Sequence, residues 1–188
     1  MKSVFSTAQL LQRLLRDEPV LLPTDTVPAL AIQPFAAKRI WALKERPTHK
    51  PLILMGADLP QLQEALAVPW LPEWLQEAER VWPGQVTLVL PVAGPLCSAL
   101  NPGGKSLGLR VPACSTTQKV LQRSGPLATT SVNRSGQPPA LTAEEANLLF
   151  PDLPLLGPLP WPPGSGIPSE VRAWNEGGWQ VLRSQPFR

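Results

Sequence analysis

No tyrosine occurs among the 188 residues, so no phenol is available as acid, base or nucleophile. The one histidine, His49, removes every metal site that needs two imidazoles, H-E-x-x-H included. Two cysteines, Cys97 and Cys114, stand far apart with no C-x-x-C, which excludes a zinc ribbon and a disulfide scaffold. Charged residues make up only 16%, against about 25% in average proteins. No apolar run approaches the roughly 18 residues of a membrane span, and the start, M-K-S-V-F-S-T-A-Q-L, has no secretory apolar core. The expectation is a soluble, cytoplasmic protein with no membrane partner.

Proline is the residue in excess, at 25 copies, while 43% of the chain is hydrophobic. That apolar content supports a real core, and the length fits one domain of about 100–200 residues spanning 1–188. The net charge of +3 is unevenly spread. Residues 38–50 carry Lys38, Arg39, Lys44, Arg46 and Lys50 against the single acid Glu45, more than the whole net charge. Such a segment is either a solvated helix face or an anion site for phosphate or nucleic acid.

Helix and strand signals alternate at short spacing. Ser6 and Gln9 have capping-box spacing, Phe5 and Leu10 fit a hydrophobic staple, and Leu10, Leu11, Leu14 and Leu15 form one stripe. Strands are predicted at 20–22, 27–32, 52–55, 86–90, 107–111 and 127–131, with Pro28 placing the second at an edge or bulge. Helices are predicted at 36–45, 60–66 behind Asp58, 72–81, 115–123 capped by Ser115, and 142–149 opened by Thr142 and Glu145. Residues 92–105 and the proline-rich 150–168 read as loops, and Val171 and Val181-Leu182 as closing strands. This pattern specifies an α/β domain with a twisted, open, mixed sheet and flanking helices.

Familiar catalytic motifs fail on inspection. Gly104-Lys105-Ser106 lacks the upstream glycine of a P-loop, since Ala99 stands there, and a strand follows it rather than a helix. No G-x-G-x-x-G or G-x-S-x-G occurs. What remains is four polar clusters, each at the end of a hydrophobic element: P-T-D-T-V at 23–27, K-E-R-P-T-H-K-P-L at 44–52, L-G-L-R-V-P at 107–112 and T-T-S-V-N-R-S-G at 129–136. Strand ends are where ligands bind in α/β sheets. Singly, each cluster is a cap or a turn. Together they supply hydroxyls and cations for an anion, with no good general base and no nucleophilic thiol.

These clusters, with W-P-G-Q-V-T at 82–87, S-V-N-R-S-G-Q-P at 131–138, G-I-P-S-E-V-R at 166–172 and V-L-R at 181–183, resemble the threonylcarbamoyl-AMP synthase family, the YrdC-like domain, in its short single-domain form. The resemblance runs from about residue 5 to 185. It implies a twisted open sheet with a deep basic cavity. It also implies synthesis of L-threonylcarbamoyl-AMP from L-threonine, bicarbonate or CO2, and ATP, with release of pyrophosphate. Transferase proteins would then carry the group to position 37 of tRNAs that read codons beginning with A. By the same resemblance Lys44, Arg46, Ser131 and Asn133 form the catalytic tetrad. Arg46, Lys50, Ser106, Ser131 and Arg183 bind ATP, and Thr26, Arg110 and Thr129 bind threonine, with Arg110 as a bidentate partner of its carboxylate. Carboxylates are few, so Mg²⁺ is expected on the nucleotide and not on the protein. The alternative is a non-catalytic module that binds tRNA or double-stranded RNA in ribosome assembly. One departure stands out: Pro28 and Ala29 occupy positions where the family has an aromatic residue and glycine. Their presence predicts a reshaped loop beside Thr26, because alanine resists the positive φ that glycine permits.

Overall fold

The structure, a computed structural model, describes residues 4–185. In chain order the strands are β1 (Val4–Phe5), β2 (Val20–Leu22), β3 (Ala29–Ile32), β4 (Ile53–Met55), β5 (Val86–Leu90), β6 (Leu107–Arg110), β7 (Leu127–Ser131), β8 (Leu155–Leu156), β9 (Glu170–Asn175) and β10 (Gly178–Arg183). The helices are α1 (Thr7–Leu14), α2 (Lys38–Lys44), α3 (Leu59–Leu66), α4 (Pro72–Val81), α5 (Pro95–Leu100), α6 (Ser115–Ser124) and α7 (Ala143–Leu149). All the strands join one mixed sheet in the order β1-β8-β2-β3-β7-β4-β6-β5-β9-β10.

Strand alternation divides the side chains between two faces. Leu30, Leu54, Leu88, Leu109 and Ala128 point to one face and pack with Ile40 and Trp41 of α2 and Trp74 of α4. On the other face, Val20, Leu22, Ala31 and Leu127 are covered by Leu10 and Leu14 of α1 and by Val120 and Leu121 of α6. That cover stops part-way across. Beyond it the same face carries Ile53, Thr87, Gly108, Arg110, Thr129 and Ser131, and there the cavity lies. A polar every-other-residue pattern in β6 and β7 therefore marks the uncovered half of an otherwise apolar face.

Several expectations need correction. β3 lies between β2 and β7 and is not an edge strand. Pro28 is tolerated because the strand starts one residue later, at Ala29. Ala29 pairs with Leu22 and Ser131 as ordinary strand backbone, so no positive φ is demanded of it. The stretch 92–105 holds α5, and the proline-rich stretch holds β8, which pairs in parallel with β1 and β2. The N-cap of α6 is Cys114, not Ser115, and its side chain caps nothing. The α1 capping box is complete, but Leu15 is 81% exposed and leaves the stripe. At α7, Thr142 accepts from the Glu145 amide, while the Glu145 carboxylate takes the amide of Leu141. The closing strands form a full hairpin, β9–β10, with a T-shaped Trp174–Trp179 pair. No described helix is long and apolar enough to cross a membrane.

Candidate active site

The cavity measures about 720 Å³, within the ~300–1,000 Å³ of small-molecule sites. Its walls come from loop 24–29, loop 46–55, the sheet floor at β4 to β7, segment 133–139, and the stretch from Pro168 to Arg183. Arg46, Lys50, Arg110 and Arg183 line it, together with His49, and no described carboxylate does. On the floor, Ile53 and Thr87 crowd over Gly108, where a β-carbon would stand 2.8 Å from Ile53 Cγ2.

At the inner end, loop 23–27 is fastened from several sides. Thr24 Oγ1 donates its one proton to Val27 O at 2.7 Å, so at the 2.9 Å contact with Thr26 Oγ1 it must accept. Thr26 Oγ1 therefore gives its proton to Thr24, takes a hydrogen bond from Arg110 Nη1 at 2.8 Å, and keeps one lone pair. The amides of Ser165 and Gly166 donate to the carbonyls of Asp25 and Thr26. A β-carbon on Gly164 would stand only 2.2 Å from Thr26 O, so the proline-rich strap can approach this closely only through glycine. Thr117 Oγ1 holds Pro23 O from the α6 side.

Arg110 is 4% exposed. Burial pushes its pKa down, and the neighbouring Asp25 opposes that shift. Its Nη2 donates to Asp25 Oδ1 at 2.6 Å and its Nε to Gly84 O at 3.1 Å, leaving two of its five N–H donors. Beside it on the floor, the Thr129 hydroxyl is fully buried with no partner among the described residues. A buried hydroxyl left so is costly unless a ligand or water completes it. Thr26 and Arg110 are thus bonded to each other, and Thr129 lines the same cavity.

Lys44, Ser131 and Asn133 also come together. The Lys44 ammonium is 1% exposed and donates to Ser131 O and, at 2.7 Å, to Asn133 Oδ1. Ser131 Oγ donates to the same Oδ1 at 2.9 Å, and Asn133 Nδ2 closes the turn on Gln137 O. Burial and then repulsion from Arg46 lower the Lys44 pKa to about 7. Ser131 and Asn133 line the cavity while Lys44 stands behind them, so its part is to fix that wall and lend charge through it.

Arg46 turns its Nε and Nη2 onto the carbonyls of Lys50 and Pro51, curling segment 46–51 around the cavity mouth. Burial lowers its pKa and that of Arg183. Arg183 clasps Ser169 O with Nε and Nη2, and Ser169 Oγ meets Thr87 Oγ1 at 2.8 Å. Ser106 lines the wall, with its carbonyl held by Asn101 Nδ2. The sequence reading missed Asp25, Thr87 and Ser169 as site residues. Only the acid inside P-T-D-T-V and the serine of G-I-P-S-E-V-R signalled them.

Asn133→Ala removes one Lys44 acceptor and the Ser131 acceptor together. We expect a drop of about tenfold or more in nucleotide affinity, with the unfolding midpoint shifted only slightly. Calorimetric titration with ATP beside a thermal melt checks it, and unchanged affinity would reduce the S-V-N segment to a simple turn.

The family model for Sua5/YciO/YrdC proteins, described as "Telomere recombination", matches residues 12–185. A threonylcarbamoyl-AMP synthase from Yersinia enterocolitica is 36% identical over 171 residues, covering 88% of this chain and 89% of its own. One from Yersinia pestis is 34% identical over 158 residues, covering 81% and 83%. Sua5 of P. abyssi, solved with L-threonine, superimposes with a TM-score of 0.86 at 27% identity over 96% of this chain, which spans only 56% of that protein. E. coli YciO shares the fold, with a TM-score of 0.77 at 22% identity over 97% of this chain and 95% of its own. With these matches and this cavity, the chain belongs to the Sua5/YciO/YrdC family, alongside enzymes named for the synthesis of threonylcarbamoyl-AMP.

Proposed function

We propose that the chain makes L-threonylcarbamoyl-AMP from L-threonine, bicarbonate or CO2, and ATP. The observation that carries this reading is one cavity with two chemically different ends. Arg46, Lys50 and Arg183 line it without a described carboxylate, which suits a polyphosphate, while Thr26, Thr129 and the Asp25-paired Arg110 suit a small polar molecule.

In this reading the threonine amine combines with bicarbonate to give the carbamate and water. A carbamate oxygen then attacks the α-phosphorus of ATP, and the bond to the β-phosphate oxygen breaks to release pyrophosphate. Arg46, Lys50 and Arg183 meet the growing charge on the phosphates, with Ser106 and Ser131 as hydroxyl donors. Arg110 and Thr129 hold the amino acid, and Thr26 offers its free lone pair to a substrate N–H or O–H. No step needs a side-chain nucleophile, so the chain contributes position and charge.

Among the described residues no three of His, Cys, Asp and Glu cluster as metal ligands. In this reading Mg²⁺ would arrive with the nucleotide, held by its phosphates. The product would pass to transferase proteins that modify tRNA.

The test is pyrophosphate release with ATP, bicarbonate and each amino acid in turn, together with identification of the adenylate by mass. Release that depends on threonine and bicarbonate supports the reading. No release with any amino acid, alongside salt-steep affinity for double-stranded RNA, would overturn it in favour of the RNA-binding module.

A further inference from the structure

We propose that Gln85 is a positioning residue that ties both ends of the cavity to one post, so that threonine and ATP bind with positive cooperativity. This rests on the reading given above, in which one cavity takes both molecules.

Gln85 does not line the cavity, yet its side chain reaches segments at both ends of it. Its Nε2 donates to Asp25 O at 2.9 Å, in the loop that carries Thr26. Its Oε1 accepts from Gln185 Nε2 at 3.1 Å, and that Nε2 also donates to Pro168 O at 3.2 Å. The carbonyls of Asp25 and Pro168 can only accept, so they fix which way both side-chain amides point. The main chain of the same corner acts likewise. Gly84 O accepts from Arg110 Nε at 3.1 Å, and Gln85 O accepts from the Glu170 amide at 2.9 Å. Residues 84 and 85 therefore touch Arg110 and the Asp25–Thr26 loop on one side. On the other they touch the β9–β10 hairpin, which carries Arg183 into the cavity wall.

The bridge supplies what the sheet does not. Among the described strands β10 is the last, paired with β9 alone, and its Gln180, Val181 and Leu182 are exposed. Arg183 ends that strand, two residues before Gln185. Gln185 is where the end of the strand is fastened back to the inner loop. The strap makes a second link, through the amides of Ser165 and Gly166, but it leads only to the entry of β9. Edge strands and chain ends open locally at small cost. Threonine that orders the loop at Asp25 fixes Gln85, and with it the seat of Gln185. The hairpin then costs less to order when ATP arrives at Arg183. By linkage the gain is the same whichever molecule binds first.

The experiment is calorimetric titration of the full chain with L-threonine, alone and with a saturating ATP analogue. In the analogue a methylene replaces the α,β-bridging oxygen, so pyrophosphate cannot leave. Wild type should bind threonine about fivefold or more tighter with the analogue present, and the analogue tighter by the same factor with threonine present. Gln85→Met keeps the side-chain length and removes both bridge bonds. Gln185→Met cuts the bridge on the hairpin side alone. Each should bring the factor down to about twofold or less, with the affinity for either molecule alone changed only slightly, and the double variant should lose no more than either single one. Independent binding of threonine and the analogue to wild type overturns the proposal, whether or not a variant folds. So does a wild-type factor in either variant, including one that weakens each molecule alone, which is the mark of plain structural support. Binding is read apart from turnover. A chain whose coupling is lost in the variants but which releases no pyrophosphate loses the synthase reading and keeps the bridge. A chain that binds neither threonine nor the analogue loses both.

Discussion

Lys44→Met should lower threonine-dependent pyrophosphate release about 100-fold or more, the largest catalytic loss expected of any single change here. Methionine keeps the buried volume but removes both donors that fix Ser131 O and Asn133 Oδ1. Each charge-assisted bond is worth about 1.5–3 kcal/mol, and every ~1.4 kcal/mol is tenfold. The pH dependence separates this role from plain packing. The lysine pKa falls from 10.5 to about 7 on folding. The unfolded chain therefore binds more protons across that window, and wild-type stability gains from this residue as pH rises from about 7 to 10.5. Below about pH 7 the cost of burying the charge is present in full. Denaturant unfolding of both proteins along this range should show the gain in wild type and its absence in the variant. Near neutral pH, nucleotide binding should also draw a fraction of a proton onto Lys44. Calorimetry in buffers of different ionisation enthalpy would detect that uptake, and the methionine variant should show none. Equal uptake in both proteins would place the titrating group elsewhere.

The largest loss of stability is expected from Arg110→Ala, at about 3–5 kcal/mol, because it leaves the Asp25 charge buried without a partner. For a chain of this length that corresponds to a fall of roughly 6–20 °C in Tm. Removing both charges, as Asp25→Asn with Arg110→Met, should recover most of the stability without restoring amino-acid binding. Thermal melts of the three proteins together with threonine titrations check this. A double variant no more stable than Arg110→Ala would show that guanidinium packing, and not the ion pair, matters here.

Much of the fold was legible because its elements carry local punctuation. Asp58 and Thr142 cap their helices, and the apolar runs at 20–22 and 86–90 are strands. Strands of two residues have no periodicity to read, so β1 and β8 are invisible before the sheet assembles them. Helix α5, P-L-C-S-A-L, is a single short run between Gly94 and the N-P-G-G turn at 101–104, too brief to show a face. In the candidate site, residue types at strand ends pointed to Thr26, Arg110, Thr129 and Ser131, and the family resemblance added Asn133. The burial of Lys44 was not legible, since a lysine in a basic segment reads as solvated. The Asp25–Arg110 pair was hidden because the two residues are 85 positions apart. The sequence offered Arg110 as a free cation, and the fold had already given it a counter-charge.

The cavity takes its walls from nearly the whole length of the chain, from Thr24 to Arg183, with the strap at Ser165 and Gly166 bonded back to Asp25 and Thr26. The site therefore belongs to no subset of the strands. Any partial opening that frees the β9–β10 hairpin or the strap also dismantles the pocket. Ligand free energy must then be lost before any of these segments can detach. Occupancy thus couples local fraying to global unfolding and turns a sheet with two loose ends into one cooperative unit.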